Sequence, residues 1–576
     1  MRHRSSGFRL AGLLSAGAAA LLLQTPGATP AFARAPAPPG VAHNGPGAVP
    51  ALGQSPAILS PARLAGIRAA AAKPSTPAVE LPAHGVLNAP APSTPRAHKG
   101  APKVAAANTA ATRLKPLAVP ASNTRPSRLS PQFPTTIFPS VQADNSIGCG
   151  FGANEPSVAE STISTNLVVV AGQEYQDNSG CADSHAWAFT SQDFGLTWSA
   201  TLLPGLQDAA SGDVAITFDP VRHVFVYAFL EFTRDAFGNA VAPGRVGVET
   251  SADGFNWGED TTLASSSSTD FIDKDMITVD QNPSSPHFGR VVVTWTDFGP
   301  SGQNFFNAFT DDGGASWTGG ADSINIANRC GNGTSPAFDA NGDLMAAWWS
   351  CDTSPRQLKE ELSTDGGASW VQPADTVITN INQIGDPDGA CSLNAGGTAF
   401  RCNSFPSLAG DPNPSDEGGT AFVVVWADED TLAQGRGLIS LNAGGSWGGP
   451  TGFSFFHIDF SDAGDKFFPA AAFAADGRLN IGYSNRNVSA TSSNQNGTSY
   501  NEWMTEASSL AALEAASYIT FNIDSAASDP GTLAFIGDYS FTSSLDNSSD
   551  TFPAFADQDG TSNNHINTID VCYAGC

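Results

Sequence analysis

The octapeptide Thr310-Asp-Asp312-Gly-Gly314-Ala-Ser316-Trp317 returns almost unchanged as Ser363-Thr-Asp365-Gly-Gly367-Ala-Ser369-Trp370, and this repetition decides the fold. Ser191-Gln-Asp193-Phe-Gly195-Leu-Thr197-Trp198 precedes the pair, and Ser440-Leu-Asn442-Ala-Gly444-Gly-Ser446-Trp447 follows it. A looser copy, Thr250-Ser-Ala-Asp253-Gly254-Phe-Asn256-Trp257, fills the remaining gap. The tryptophans lie 59, 60, 53 and 77 residues apart. That spacing suits a repeat architecture whose units are about 40–50 residues plus loops.

Each copy has the chemistry of a hairpin turn. An Asp side chain accepts hydrogen bonds from backbone N–H groups of its own turn, and Gly supplies the positive φ. Two β-patterned runs precede each turn. The first is an inner-strand pattern, seen at "EPSVAE" (155), "GDVAITFDP" (212), "DKDMITVDQ" (273) and "SPAFDAN" (335). It recurs at "FPSLAGDP" (405), "FPAAAFAADG" (468) and "FIGDYSF" (535). The second run is richer in branched residues, as in "NLVVVAGQEY" (166) and "TAFVVVWADED" (420). Seven units result, the sixth with "NEWMTEASS" where its octapeptide belongs and the seventh with only three strands. An unclosed ring would leave an edge strand bare, and "TTIFPSVQ" from Thr135 supplies the missing strand. Only "SSLAALEAAS" from Ser508 reads as helix.

The octapeptide resembles the Asp box, or BNR repeat, of the sialidase superfamily. The resemblance spans roughly residues 135–573 and implies an all-β propeller of four-stranded antiparallel blades. Chain closure favours seven blades, and the six of sialidases are the alternative. It also implies that the boxes lie on the outer-strand turns, away from any active site. Asp193, Asp253, Asp312, Asp365 and Asn442, with Trp198, Trp257, Trp317, Trp370 and Trp447, are therefore structural. Sialidases also carry an F-R-I-P motif, an arginine triad, a Tyr nucleophile and an Asp acid. This sequence has no F-R-I-P, and none of its ten arginines beyond residue 131 opens an inner strand. The resemblance thus implies the scaffold rather than a sialic-acid site.

The N-terminus reads differently. Arg2, Arg4 and Arg9, an apolar run from Leu10 to Leu23 and Ala31-Phe32-Ala33 make a secretory signal over residues 1–33. Residues 34–131 are dominated by Ala and Pro and read as a linker or propeptide, leaving 132–576 for the propeller. Residues 1–130 hold 14 of the 27 basic residues and a single acid, Glu80, so the rest carries a formal net charge of −41. Such a body repels nucleic-acid phosphates. No run is long enough to span a bilayer, so a secreted monomer is expected. The eight cysteines of an exported chain read as disulfides, with neighbours pairing as Cys149–Cys181, Cys330–Cys351, Cys391–Cys402 and Cys572–Cys576.

In a propeller the innermost strands bring distant residues to one channel mouth. Here those residues are Glu155, Asp213, Asp273, Lys274, Asp275, Lys466, Asp538 and Tyr539. Asp213, Asp273, Asp538 and Tyr539 are the catalytic candidates, because glycosidases use paired carboxylates. Glu155, Lys274 and Lys466 are candidates for substrate binding. An oxygen-rich ring also suits Ca²⁺, with Asp275 as a ligand. The third reading is that these charges cap loops and pair with one another. Two functions stay open: a glycan-directed protein, hydrolase-like or glycan-binding, and a non-catalytic adhesion or scaffold propeller for a protein ligand. In the second, Trp348 or Trp349 faces outward as a platform, since strand side chains alternate.

Overall fold

The computed structural model describes residues 134–573, apart from a set of positions of which 385–399, 487–498 and 529–535 are the longest runs. Strands dominate because runs such as Val168-Val169-Val170-Ala171 are β-branched and bounded by turn residues. The first blade is a meander of Ala153–Glu160, Val168–Asp177, Gly180–Ser191 and Ser199–Leu202, paired in that order. Five more four-stranded blades follow, with innermost strands Ala210–Asp219, Phe271–Val279, Gly331–Phe338, Ser407–Gly410 and Asp465–Phe473. The seventh blade begins at Phe541–Ser543 and continues through Asp550–Gln558 and Asn564–Thr568.

Its fourth strand comes from the other end of the chain. Val141–Gln142 pairs antiparallel with Asn564–Thr568, Val141 opposite Thr568 and Gln142 opposite Asn567. Thr136–Ile137 adds a second stitch against Val571–Cys572. Each innermost strand contacts the next in order, and Phe541–Ser543 contacts Ala153–Glu160, so seven blades close the ring. The seventh innermost strand starts later than its sequence pattern, which leaves Asp538 and Tyr539 in the loop before it.

Neighbouring blades cover both faces of each sheet, which is why Val168, Val169, Val170 and Ala171 are all fully buried. Between blades 1 and 2, Val169, Ile216, Tyr227 and Trp257 form one apolar layer, with the Tyr227 and Trp257 rings edge-on at 5.6 Å. The same double coverage corrects the expected aromatic platform. Trp348 is fully buried against Phe305, and Trp349 is 5% exposed with its indole N–H donated to Gln383 at 3.2 Å. Alternation leaves one face wet only where a sheet has one wet face.

The octapeptides form the turns from third to fourth strand. In blade 1, Asp193 accepts from the Thr197 N–H at 2.8 Å and the Thr197 hydroxyl at 2.7 Å, while Ser191 Oγ accepts from Gly195 N–H at 2.8 Å. Asp312 and Asp365 repeat these contacts with Ser316 and Ser369. Asn442 keeps the backbone contact, accepting from Ser446 N–H at 2.9 Å. In the sixth blade, where no octapeptide stands, the helix Leu510–Glu514 occupies this connection, N-capped by Ser509. Cys330–Cys351 is a disulfide as the nearest-neighbour pairing expects. Cys181, Cys402 and Cys572 are also disulfide-bonded, and Cys149, Cys391 and Cys576 lie outside the described residues.

Candidate functional site

Strand register separates the two ends of the ring. In blade 1, Asn154 lies opposite Gln173, whereas Glu160 lies opposite Val168 and Val168 opposite Ser191. Glu155 and the octapeptide turn are therefore at opposite ends, roughly 20 Å apart at about 3.3 Å per residue. At the octapeptide end the channel holds a cavity of about 160 Å³, lined by all seven blades, including Val158, Ile216, Ile277, Pro336, Leu408, Ala471 and Phe541.

At the other end, a backbone irregularity recurs. Five innermost strands break register, between Asn154 and Ser157, Gly212 and Val214, Asp273 and Met276, Asn332 and Ser335, and Phe467 and Ala470. Inside each break sits a residue with positive φ: Glu155 (54°), Asp213 (36°), Lys274 (52°), Gly333 (70°) and Phe468 (50°). Left-handed backbone costs a non-glycine residue on the order of 1–3 kcal/mol and persists where the surroundings enforce it. A β-bulge re-aims a side chain. Here three bulges aim charged groups at one point.

Lys274 is that point. Its ammonium lies 2.6 Å from Asp538, 3.1 Å from Asp213 and 3.4 Å from Glu155, all four side chains no more than 3% exposed. Its backbone N–H also donates to Asp213 at 3.0 Å. Tyr539 lies 5.6 Å below the ammonium, with its hydroxyl accepting from Val214 N–H at 2.9 Å and donating to Val214 O at 3.2 Å. That hydroxyl pins the seventh blade's loop to the second blade. Asp273 accepts from the Asn332 amide at 2.9 Å and, at 9% exposed, is the most open acid of the group.

The ring also contains an arginine, although no arginine opens an inner strand. Arg401 grips both oxygens of Asp538, its Nε at 2.7 Å from Oδ1. Asn403 donates to the Asp538 carbonyl at 2.9 Å. Neither residue opens an innermost strand, for both precede Ser407–Gly410. Their only sequence signal is the neighbouring Cys402, a disulfide anchor for the loop.

Two candidates are placed differently. Lys466 is buried beside the Gly464 carbonyl at 3.2 Å and Asp459 at 3.9 Å. Asp275 is fully buried, and neither of its oxygens has a hydrogen-bond partner. Burial pushes its carboxyl well above the usual range, which favours its neutral form. Among the described residues, no group of three or more His, Cys, Asp or Glu side chains is arranged to hold a metal ion. Among the described residues, Asp275 therefore has no assembled calcium site around it.

Electrostatics divide the carboxyls. Burial and the neighbouring Asp213 push Asp273 up to about 8. Burial also raises Glu155 well above its ordinary value, against the pull of Lys274. For Asp213, burial is outweighed by Lys274 and by hydrogen bonds from Asp273 and Glu155, so it stays ionised well below the usual range. Asp538 is lowered because Arg401 and Lys274 together outweigh its burial. Two carboxyls raised above their ordinary values thus flank one lowered below it.

No known family model and no curated protein matches the chain. Solved structures similar to it include a protein of unknown function from Dyadobacter fermentans, at 12% identity over 76% of this chain and 98% of that one, with a TM-score of 0.42. The intramolecular trans-sialidase from Ruminococcus gnavus is similar at 12% identity over 60% and 92%, TM-score 0.41. An α-L-arabinofuranosidase from Fusarium graminearum is similar at 9% identity over 77% and 98%, TM-score 0.42. The fold itself is read from this chain's own sheets: an all-β, seven-bladed propeller with Val141–Gln142 closing the ring.

Proposed function

We propose that the chain is exported and directed at an extracellular glycan, which it cleaves or binds at the ring end where Lys274 gathers the acids. The observation that carries this is Asp273: a carboxyl pushed up to about 8 beside the ionised Asp213, at the more open edge of the group. Glycoside cleavage needs a protonated carboxyl to deliver a proton to the leaving oxygen and a second carboxylate nearby. Asp273 fits the first role, and Asp213, in hydrogen-bond contact with it, is the neighbouring charge that raises its hold on the proton. Arg401 is committed to Asp538, so a neutral sugar suits the ring better than a carboxylated one. The signal-like N-terminus supports export.

One observation favours a second reading. Lys274, Asp213 and Asp538 are about 2% exposed and mutually paired, as in a plug that ties blades together. A non-catalytic adhesion or scaffold propeller, binding glycan or protein by its surface, would keep such a plug. The test measures reducing-end release from neutral polysaccharides by the wild type and by Asp273→Asn. Release that falls at least a hundredfold in the variant supports hydrolysis. Binding without release, equal in both proteins, overturns it in favour of the scaffold.

A further inference from the structure

Among the described residues, the fourth blade contributes no charge to the group around Lys274, yet it holds Asp273, the proposed proton donor. Its innermost strand opens Gly331-Asn332-Gly333, immediately after Cys330. Asn332 lies opposite Trp349 in the register, just before the bulge at Gly333. The Asn332 side-chain oxygen accepts from Gly333 N–H at 2.8 Å. That bond fixes which end of the amide faces away from the bulge, and the amino end donates to Asp273 Oδ2 at 2.9 Å. Asn332 is 6% exposed, so water replaces this bond poorly.

What holds the strand opening is the Cys330–Cys351 disulfide, with Cα atoms 5.0 Å apart. The disulfide is backed by Cys351 N–H donating to the Cys330 carbonyl at 3.0 Å and by Asp352 accepting from Cys330 N–H at 2.8 Å. Lys359 in turn holds Asp352 at 2.8 Å. Residues that present a reacting group gain precision from supports whose own position is locked. The fifth blade repeats the device: Arg401 and Asn403, which grip Asp538, flank the disulfide-bonded Cys402.

We propose that Asn332, clamped by the Cys330–Cys351 disulfide, is the positioning residue for Asp273, setting both its orientation and its readiness to lose a proton. An amide N–H donor favours the ionised carboxylate, so Asn332 restrains the upward pull of burial on Asp273. The inference rests on the reading of Asp273 as the proton donor, but its test does not require turnover.

The Asp273 carboxyl is titrated by ¹³C NMR in the wild type, in Asn332→Leu, in Asn332→Gln and in the double variant Cys330→Ser/Cys351→Ser. Asn332→Leu and the double variant are expected to raise the Asp273 titration midpoint, and Asn332→Gln to restore part of the shift. If hydrolysis occurs, the alkaline limb of kcat moves up with the midpoint, while KM stays within a few fold. A drop in melting temperature with an unmoved Asp273 midpoint overturns the inference and leaves Asn332 and the disulfide purely structural. Absence of turnover in the wild type instead removes the hydrolase reading alone, because the NMR midpoint still reports the positioning.

Discussion

The Lys274 ammonium of the third blade sits 2.6 Å from the Asp538 carboxylate of the loop that enters the seventh. The two residues meet only because the ring is closed, and Lys274 gathers carboxyl groups from three blades, Asp213 and Asp538 being the ones held below the usual range. Replacing Lys274 by Met is expected to cost about 3–5 kcal/mol, the range for breaking a buried ion pair by removing one partner. Urea denaturation at pH 7 measures it, and a cost below about 1 kcal/mol would mean the carboxylates reorganise or stay protonated.

Stability should fall as pH rises from about 5 to 8. Burial, with neighbouring acids, pushes Asp273, Glu174, Glu502 and Asp570 up to about 8. Between the usual carboxyl range and that value, the folded chain keeps protons that the unfolded chain has released. Each such group therefore lowers stability by up to about 1.4 kcal/mol per pH unit across that window. Asp213 and Asp538 run the other way, since their lowered values give stability that is lost in strong acid. The optimum is expected in mild acid, and an unfolding midpoint that rises from pH 5 to pH 8 would contradict this assignment of protons.

The octapeptide turns should affect stability and leave the ring end untouched. Asp312→Ala removes acceptors for Ser316 N–H and its hydroxyl and is expected to cost about 1 kcal/mol. Asn442→Asp should gain a few tenths of a kcal/mol, because the carboxylate accepts from both Ser446 groups. Thermal melts check the signs. Any change in glycan binding or release by either variant would contradict a purely structural turn.

Closure of the ring gives the fourth prediction. A chain beginning at residue 132 retains Val141–Gln142 and should melt like the full chain. A chain beginning at residue 146 loses this strand and Asp144, which accepts from Ile566 N–H and contacts His565 at 3.3 Å. The exposed edge of Asn564–Thr568 should make it aggregate. Light scattering on the two truncations distinguishes them, and equal solubility and melting would show the closing strand to be dispensable.

The scaffold was legible because its signals are local. Asp193 and Gly195 define a turn within eight residues, and Val168–Ala171 announces a strand whose neighbours need not be known. Glu155, Asp213 and Lys274 were legible for a related reason: charges stand out in an apolar innermost strand. Arg401 was not, since it acts from a loop before its strand and meets Asp538 only through the closed ring. Trp348 and Trp349 misled because alternation says nothing about how many faces are covered. The upward shifts of Asp273 and Glu155 were also out of reach, being set by burial and by partners from other blades.

The five left-handed bulges have a consequence for how such a ring can change. Among the described residues, five blades offer an equivalent backbone slot, filled by Glu155, Asp213, Lys274, Gly333 and Phe468. Because the slot is made by the strand and not by its occupant, a residue can be exchanged in one blade while its neighbours keep their aim. The octapeptide turns that knit the outer edge lie at the other end of the strands and need not follow. Recognition and architecture are thus separately heritable, and a new specificity could arise by rewriting the ring one letter per blade.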